Sequence, residues 1–478
     1  MKQPKSTGNQ QGSRSANRLG KAPATSAREL ALQVLQEVAE HGAYSQISLN
    51  QRLQQAQLSG VDAGLATEIV YGTIQRKRTI DYWLIRYVAK GIDKLSPWVL
   101  QLLRMSVYQL LYLERVPDHA IVNEAVNLAK KYGHSGISGM VNGILRAMIR
   151  QKADIIPENI EAKNAIERIS FMHSYPKWLV KRLVATYGEQ VTEAICEASN
   201  LPAPANLRIN PLVTSREAVM ETLEEEGYNV RLSLLSSLGI VALNGGHLAS
   251  HRDHIAGRFS LQDESSMLVA EVANPKPNSQ VLDLCAAPGG KSMHLAQLLQ
   301  GTGKVWANDI HPHKQTLIEE QAVRLSLSNV EAIVGDALQI SERFAPDSMD
   351  VVLLDAPCSG FGVIRRKPDI KWTKSAADIV EIANLQRQLL QEAAKLVKRG
   401  GVLLYSTCTI EQLENEQQIT AFLAEHPQYK LDSNWSESIL KVLADNNVID
   451  DSFNGMLQLL PHHFYTDGFF IARMVRTD

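Results

Sequence analysis

With 478 residues, 45% of them hydrophobic, the chain is long enough for two to four domains with cores of their own. No apolar run reaches the roughly 18 residues needed to span a membrane, no signal-peptide core opens the chain, and four cysteines are too few for a disulfide framework, so the cytoplasm is the expected setting. A net charge of −2 gives no overall pull on a polyanion, but residues 1–150 hold 19 Lys/Arg against 10 Asp/Glu, net +9, which makes the N-terminal part the expected seat of attraction to nucleic acid.

Residues 1–25 combine Ser, Gly, Gln and Asn with five Lys/Arg and no acid, the composition of a disordered basic tail. Residues 26–155 read as a helical bundle. Ser26 and Glu29 form a capping-box pattern ahead of Leu30, Val34 and Val38 on one helical face. Ser96-Pro97 starts a second helix carrying Trp98, Leu102, Met105 and Leu110, stopped by Pro117, and Val141, Ile144, Leu145 and Met148 mark another. Residues 156–262 are broken by prolines. A basic helix is expected over Tyr175–Val184, a strand over Asn206–Asn210, a helix over Ser215–Glu226 and a strand over Tyr228–Leu232, giving a small α+β module of a kind that binds RNA on its sheet. Residues 263–478 alternate strand and helix, the signature of a doubly wound, Rossmann-like α/β domain. In it a long helix over Asp378–Lys398 is expected to stop at Gly400-Gly401.

The informative stretch is Val281 to Lys291, Val-Leu-Asp-Leu-Cys-Ala-Ala-Pro-Gly-Gly-Lys, an apolar strand that meets a small-residue turn and then a helix. Gly290-Lys291-Ser292 has the end of a phosphate-binding loop, but Cys285 stands where that pattern needs its first glycine. The remaining reading is an adenosine-cofactor site, which calls for an acid about 20 residues past the glycines, at the end of the second strand. Asp309 ends the strand Lys304–Asn308. Strand patterns also end at Asp336, at Asp355 with Cys358 just beyond, and at Cys408, so these groups converge on the rim where open α/β sheets bind ligands. Cys196 and Cys285 read as packing residues. Cys358 and Cys408, at strand ends on a cofactor rim, are candidates for reactive thiols.

The motifs at 281–291, Leu-Leu-Asp-Ala-Pro-Cys-Ser-Gly at 353–360 and Ser-Thr-Cys-Thr-Ile at 406–410 resemble the S-adenosylmethionine-dependent RNA cytosine-C5 methyltransferases, nearest the bacterial Sun/Fmu branch that modifies 16S ribosomal RNA. Arg365 to Trp372 and Asp467-Gly468-Phe469-Phe470 fit that branch, and the N-terminal region, with Val141-Asn142-Gly143-Ile144-Leu145-Arg146, is similar to the helical NusB fold. Thr409-Ile410 replaces the Ser-Val of many relatives but keeps a hydroxyl and an apolar residue.

The resemblance implies S-adenosylmethionine held by Cys285, Ala286, Ala287, Pro288, Gly289, Gly290 and Lys291, with Asp309 on the ribose, Asp336 by the adenine and Asp355 beside both cofactor and base. It implies Cys408 as nucleophile toward carbon 6, Asp355 at cytosine N3, and Cys358 as base or product-releasing group. DNA cytosine methyltransferases use the cysteine of a Pro-Cys motif like Pro357-Cys358, so the thiols are not separable by spacing. Carbon 5 of cytosine is too poor a nucleophile to be methylated directly, hence the need for covalent activation. Arg365, Arg366, Lys367 and Lys371 are expected to meet RNA phosphates. No metal is expected, since His462-His463 lacks a third ligand nearby. A monomer acting on 16S rRNA is the resulting expectation. A tRNA or DNA substrate, or a non-catalytic RNA-binding or antitermination factor, are the competing readings.

Overall fold

The computed structural model describes residues 23–477 except 43, 57 and 245–247, so the expected basic tail falls almost entirely outside the described residues. Packing divides the chain into two units, Met1–Asn200 with Lys367–Thr373, and Leu201–Arg366 with Lys374–Asp478.

The first unit is helical throughout its described residues, from Ala27–His41 to Lys177–Ala198. Its core is made by the faces expected from spacing, with Leu30, Val34, Trp98, Leu102, Met105, Leu110, Val141, Leu145 and Met148 all buried. By its contacts the expected basic helix belongs to this unit as part of Lys177–Ala198, and so does the short excursion Lys367–Thr373, whose Trp372 packs against the helical core.

The first helix departs from the capping-box pattern in an instructive way. Ser26 Oγ does accept the Glu29 N–H at 3.2 Å, but the Glu29 carboxylate turns past Ser26. It accepts from the Thr25 N–H and hydroxyl at 2.9 and 2.7 Å, and from Lys131 and the Tyr132 hydroxyl. Burial raises the Glu29 pKa, and the bonds from Lys131 and Tyr132 more than offset it, so the group falls to about 2. A carboxyl depressed in the folded state stabilises above its unfolded pKa, and that contribution fades as pH falls from about 4.5 toward 2. Glu29→Ala strands a lysine and a tyrosine hydroxyl, and should cost about 2–4 kcal/mol, read as a lower urea midpoint at pH 7 and a smaller difference from the parent near pH 2.

The second unit contains two sheets. β1 (Ala205–Ile209), β2 (Val230–Leu232), β3 (Gly239–Ala242) and β4 (Phe259–Leu261) form an antiparallel sheet in the order β2-β3-β1-β4. Leu207, Ile209, Ile240 and Phe259 pack there with Val219 and Leu223 of the helix Arg216–Glu225. The larger sheet contains β5 (Gln280–Asp283), β6 (Lys304–Asp309), β7 (Val330–Val334), β8 (Met349–Asp355), β9 (Val397–Thr407), β10 (Tyr429–Leu431), β11 (Met456–Leu459) and β12 (Phe469–Arg476). Its order is β10-β12-β9-β8-β5-β6-β7, with β11 also on β12; β5 to β9 run parallel and β12 antiparallel.

Neighbouring residues of the central strands enter opposite cores. Val281, Leu353 and Leu404 pack on one face and Leu282, Leu354 and Leu403 on the other, which is why these strands are apolar without alternation. The helix before β9 ends at Leu396, and Gly400-Gly401 lie inside the strand rather than at the helix stop. There the pairing slips from Met349–Val397 to Val351–Val402, and Gly400 takes φ +74°, a bulge that a glycine accommodates.

Candidate active site

The parallel strands deliver their carboxyl ends to one cavity of about 540 Å³, within the range of small-molecule sites. Cys285 and Ala287 from the turn after β5, Asp309 from β6, Asp336 after β7, Asp355 from β8, Cys358 and Cys408 all line it. Five polar or reactive groups expected on one rim therefore do share a space. Ala286, Pro288, Gly289, Gly290 and Lys291 complete the turn without lining that cavity. Gly289 caps the helix Gly290–Leu298 at φ +103°, a conformation that side chains rarely adopt.

Asp355 is the electrostatic centre. Its Oδ2 accepts from Lys291 Nζ at 2.7 Å and its Oδ1 from the Ser406 hydroxyl at 2.8 Å, because Asp355 and Ser406 are register partners on β8 and β9. Burial lowers the Lys291 pKa, yet the Asp355 carboxylate outweighs it and the group ends above its ordinary value. Asp283, the last residue of β5, is buried and rises to about 7 despite a 2.6 Å bond from the Ser292 hydroxyl.

The sulfurs of Cys358 and Cys408 lie 3.3 Å apart. The hydrogen bond with Cys408 and then burial push the Cys358 thiol well above its usual range, so Cys358 keeps its proton beside the Cys408 sulfur. The surrounding loops are pinned by contacts the sequence did not reveal. Ser359 and Thr409 hydroxyls meet at 2.8 Å, and Glu414 accepts from the Ser359 N–H at 2.8 Å and from Gln386 at 3.2 Å. The Gly362 N–H donates to the Cys408 carbonyl at 3.0 Å, and Gly468 N–H to that of Gly362 at 2.9 Å. A Cβ on Gly362 would stand 1.8 Å from the Gly468 oxygen, so the backbones can approach only at a glycine.

Asp309 is nearly buried, accepting from the His311 N–H at 3.1 Å and from Lys314 at 3.3 Å. Asp336 caps the turn after β7 through the Leu338 N–H at 2.9 Å and still borders the cavity. Cys285 packs partly into the core and is pushed up by burial, as befits a structural thiol. Cys196 is fully buried.

The expectation of RNA-facing cations is corrected at Arg365 and Lys371, which are buried. Arg365 spends its guanidinium on the carbonyls of Pro202, Tyr465 and Thr466. Arg366 bridges Asp263 and Asp467, at 2.7 Å each. In the helical unit Lys371 is fully buried, donating to the Gln75 carbonyl at 2.8 Å over the Tyr175 ring. A buried cation cannot reach a phosphate; Arg366 is half-buried and already paired with two carboxylates, and of the four Lys367 alone is fully exposed. Among the described residues no three His, Cys, Asp or Glu side chains are arranged to hold a metal, His462 and His463 simply pack ring to ring, and no helix is long and apolar enough to cross a membrane.

Comparison with known proteins agrees with this architecture. The sequence matches the 16S rRNA methyltransferase RsmB/F family over residues 270–475, the NusB family over 25–150 and the RsmF/B-like ferredoxin-like domain over 175–246. A Bacillus subtilis protein, "Probable ribosomal RNA small subunit methyltransferase B", is 42% identical over 454 residues, 94% of this chain and 98% of that protein. The crystal structure of PH0851 superposes with a TM-score of 0.76 at 27% identity, covering 95% of this chain and all of that one. NSun6 from Pyrococcus horikoshii, solved with SFG, shares the fold with a TM-score of 0.57 at 23% identity, covering 64% of this chain and all of that one. With helical, ferredoxin-like and α/β parts in one order and that identity over nearly the whole length, the chain belongs to the RsmB/F family of RNA methyltransferases.

Proposed function

We propose that the protein methylates carbon 5 of a cytosine in small-subunit ribosomal RNA through a covalent cysteine adduct. The observation that carries this reading is the pair of sulfurs 3.3 Å apart at the ends of adjacent parallel strands, in one cavity with the Lys291–Asp355 ion pair. One methyltransferase could use one acid or base; two apposed thiols beside a carboxylate fit a reaction that must both add to and release a pyrimidine ring. The relatives' printed names support ribosomal RNA as substrate, and the NusB match supports RNA engagement.

S-adenosylmethionine supplies the methyl group when bound. The residues fit it. The 540 Å³ cavity is large enough for a nucleoside-sized ligand, Asp309 stands at the strand end where ribose hydroxyls are held, and the small-residue turn from Cys285 to Lys291 leaves the backbone accessible beside Asp336 and Asp355.

In this mechanism the Cys408 thiolate bonds to cytosine carbon 6 and the ring electron pair moves toward carbon 5, while a proton passes from the Lys291 ammonium by way of Asp355 to N3 and returns by the same path when the ring is restored. Carbon 5 takes the methyl group and becomes tetrahedral. Once Cys408 is bonded to carbon, the sulfur–sulfur hydrogen bond that most strongly holds the Cys358 proton is gone. Cys358 then releases its proton to solvent and, as a thiolate, takes the carbon 5 proton; the C–H electron pair reforms the ring double bond as the carbon–sulfur bond breaks, leaving the Cys408 thiolate and a protonated Cys358 as at the start.

The test is to incubate the full chain with 16S rRNA and methyl-labelled S-adenosylmethionine and to resolve the digested nucleosides. Label in 5-methylcytidine supports the reading. Label in any other nucleoside, or transfer to tRNA in preference to 16S rRNA, overturns it.

A further inference from the structure

The side chain of Arg208, on β1 of the antiparallel sheet, is 1% exposed and lies outside the cavity described above. It is nonetheless tied to the glycine turn. Its Nη1 donates to the Gly290 carbonyl at 2.6 Å and to Gln262, and its Nε to Gln297 Oε1 at 3.1 Å, Gln297 belonging to the helix that Gly290 starts.

What these bonds lack is a negative charge. The described ion pairs include none with Arg208, its strongest charged neighbour is the cation Arg324, and Nη2 is buried without a partner. His294, fully buried on the same helix with neither ring nitrogen partnered, is held neutral by burial and by Arg208. Burial brings the guanidinium down to about 9, still cationic at neutral pH. A buried cation without a counter-ion is costly, and the N-terminus of Gly290–Leu298 adds partial positive charge at the same turn. Two uncompensated positive sources beside one ligand-binding turn call for an anion.

We propose that Arg208 is a positioning residue for the cofactor's amino-acid end: it fixes the glycine turn from behind, and its unneutralised charge favours the α-carboxylate docked against that turn. The inference rests on the S-adenosylmethionine reading above. It also gives the small antiparallel sheet a part in cofactor binding, since β1 carries the arginine.

The experiment is calorimetric titration of the full chain with two probes, S-adenosylhomocysteine, which has the amino-acid end, and 5′-methylthioadenosine, which keeps the adenosine and thioether without it. Arg208→Met should weaken S-adenosylhomocysteine about 10-fold or more, the scale of one lost charge-assisted interaction, and leave methylthioadenosine within about 2-fold. Equal weakening of both probes would show that Arg208 only supports the pocket's shape, and no weakening of either would show that it is idle; both overturn the proposal. A parent protein that binds neither probe would instead overturn the cofactor reading. If Arg208→Met fails to fold, Arg208→Lys decides. Retaining the charge, it should keep the parent's preference for S-adenosylhomocysteine, and loss of that preference overturns the proposal.

Discussion

Cys408→Ala is expected to eliminate the covalent complex with RNA containing 5-fluorocytosine and to lower turnover at least about 10⁴-fold, the scale of losing a covalent nucleophile. Cys358→Ala should still form the complex and accumulate it, with turnover down about 10²–10³-fold, because proton removal from carbon 5 is lost while attack at carbon 6 remains. A fluorine at carbon 5 cannot be abstracted as a proton, so the adduct survives denaturing electrophoresis and reports which sulfur attacks. The asymmetry has a physical basis. Cys358 is pushed up first by its hydrogen bond with Cys408 and then by burial, which disfavours its thiolate. Cys408 follows β9, with its carbonyl clamped by the Gly362 N–H. An adduct that vanishes in Cys358→Ala and persists in Cys408→Ala would reverse the two roles.

The parts of this site that local patterning could show were those set by the strand–turn–helix units themselves. A buried parallel strand announces itself as an apolar run, and whatever polar residue ends it must sit at the carboxyl edge; Asp309, Asp355 and the two thiols were legible for that reason. Ser406 was not, because its role comes from the β8–β9 register, which pairs it with Asp355 across 51 positions of sequence. β3 and β4, four and three residues long, are too short to display an alternating pattern and exist through their pairing with β1.

The Arg365–Lys371 stretch misled in the opposite direction. A run of cations reads as a solvated, phosphate-facing surface, and only tertiary structure supplies the carbonyls of Gln75, Pro202 and Thr466 and the carboxylates of Asp263 and Asp467 that absorb Arg365, Arg366 and Lys371. Glu29 was the same lesson on a smaller scale. The capping pattern located the helix start correctly, but Lys131 and Tyr132, distant in sequence, claimed the carboxylate.

Asp355→Asn should lower turnover about 10²–10⁴-fold while leaving a measurable adduct in the 5-fluorocytosine experiment, since the amide can neither relay a proton to N3 nor retain Lys291 electrostatically. The substitution has a second consequence that must be separated from the first. Lys291, whose side chain is only 14% exposed, loses its ion-pair partner Asp355 at 2.7 Å, and an unpaired cation there should cost about 1–3 kcal/mol. Pairing Asp355→Asn with Lys291→Met removes both charges together, so the double variant should recover most of the lost stability in thermal denaturation and none of the lost activity. If activity returned with stability, Asp355 would be a scaffold for Lys291 rather than a participant at N3. If the double variant stayed as unstable as Asp355→Asn, the ion pair would not be what holds this corner of the site, and the Ser406 hydroxyl, bonded to the other carboxylate oxygen at 2.8 Å, would be the contact that matters.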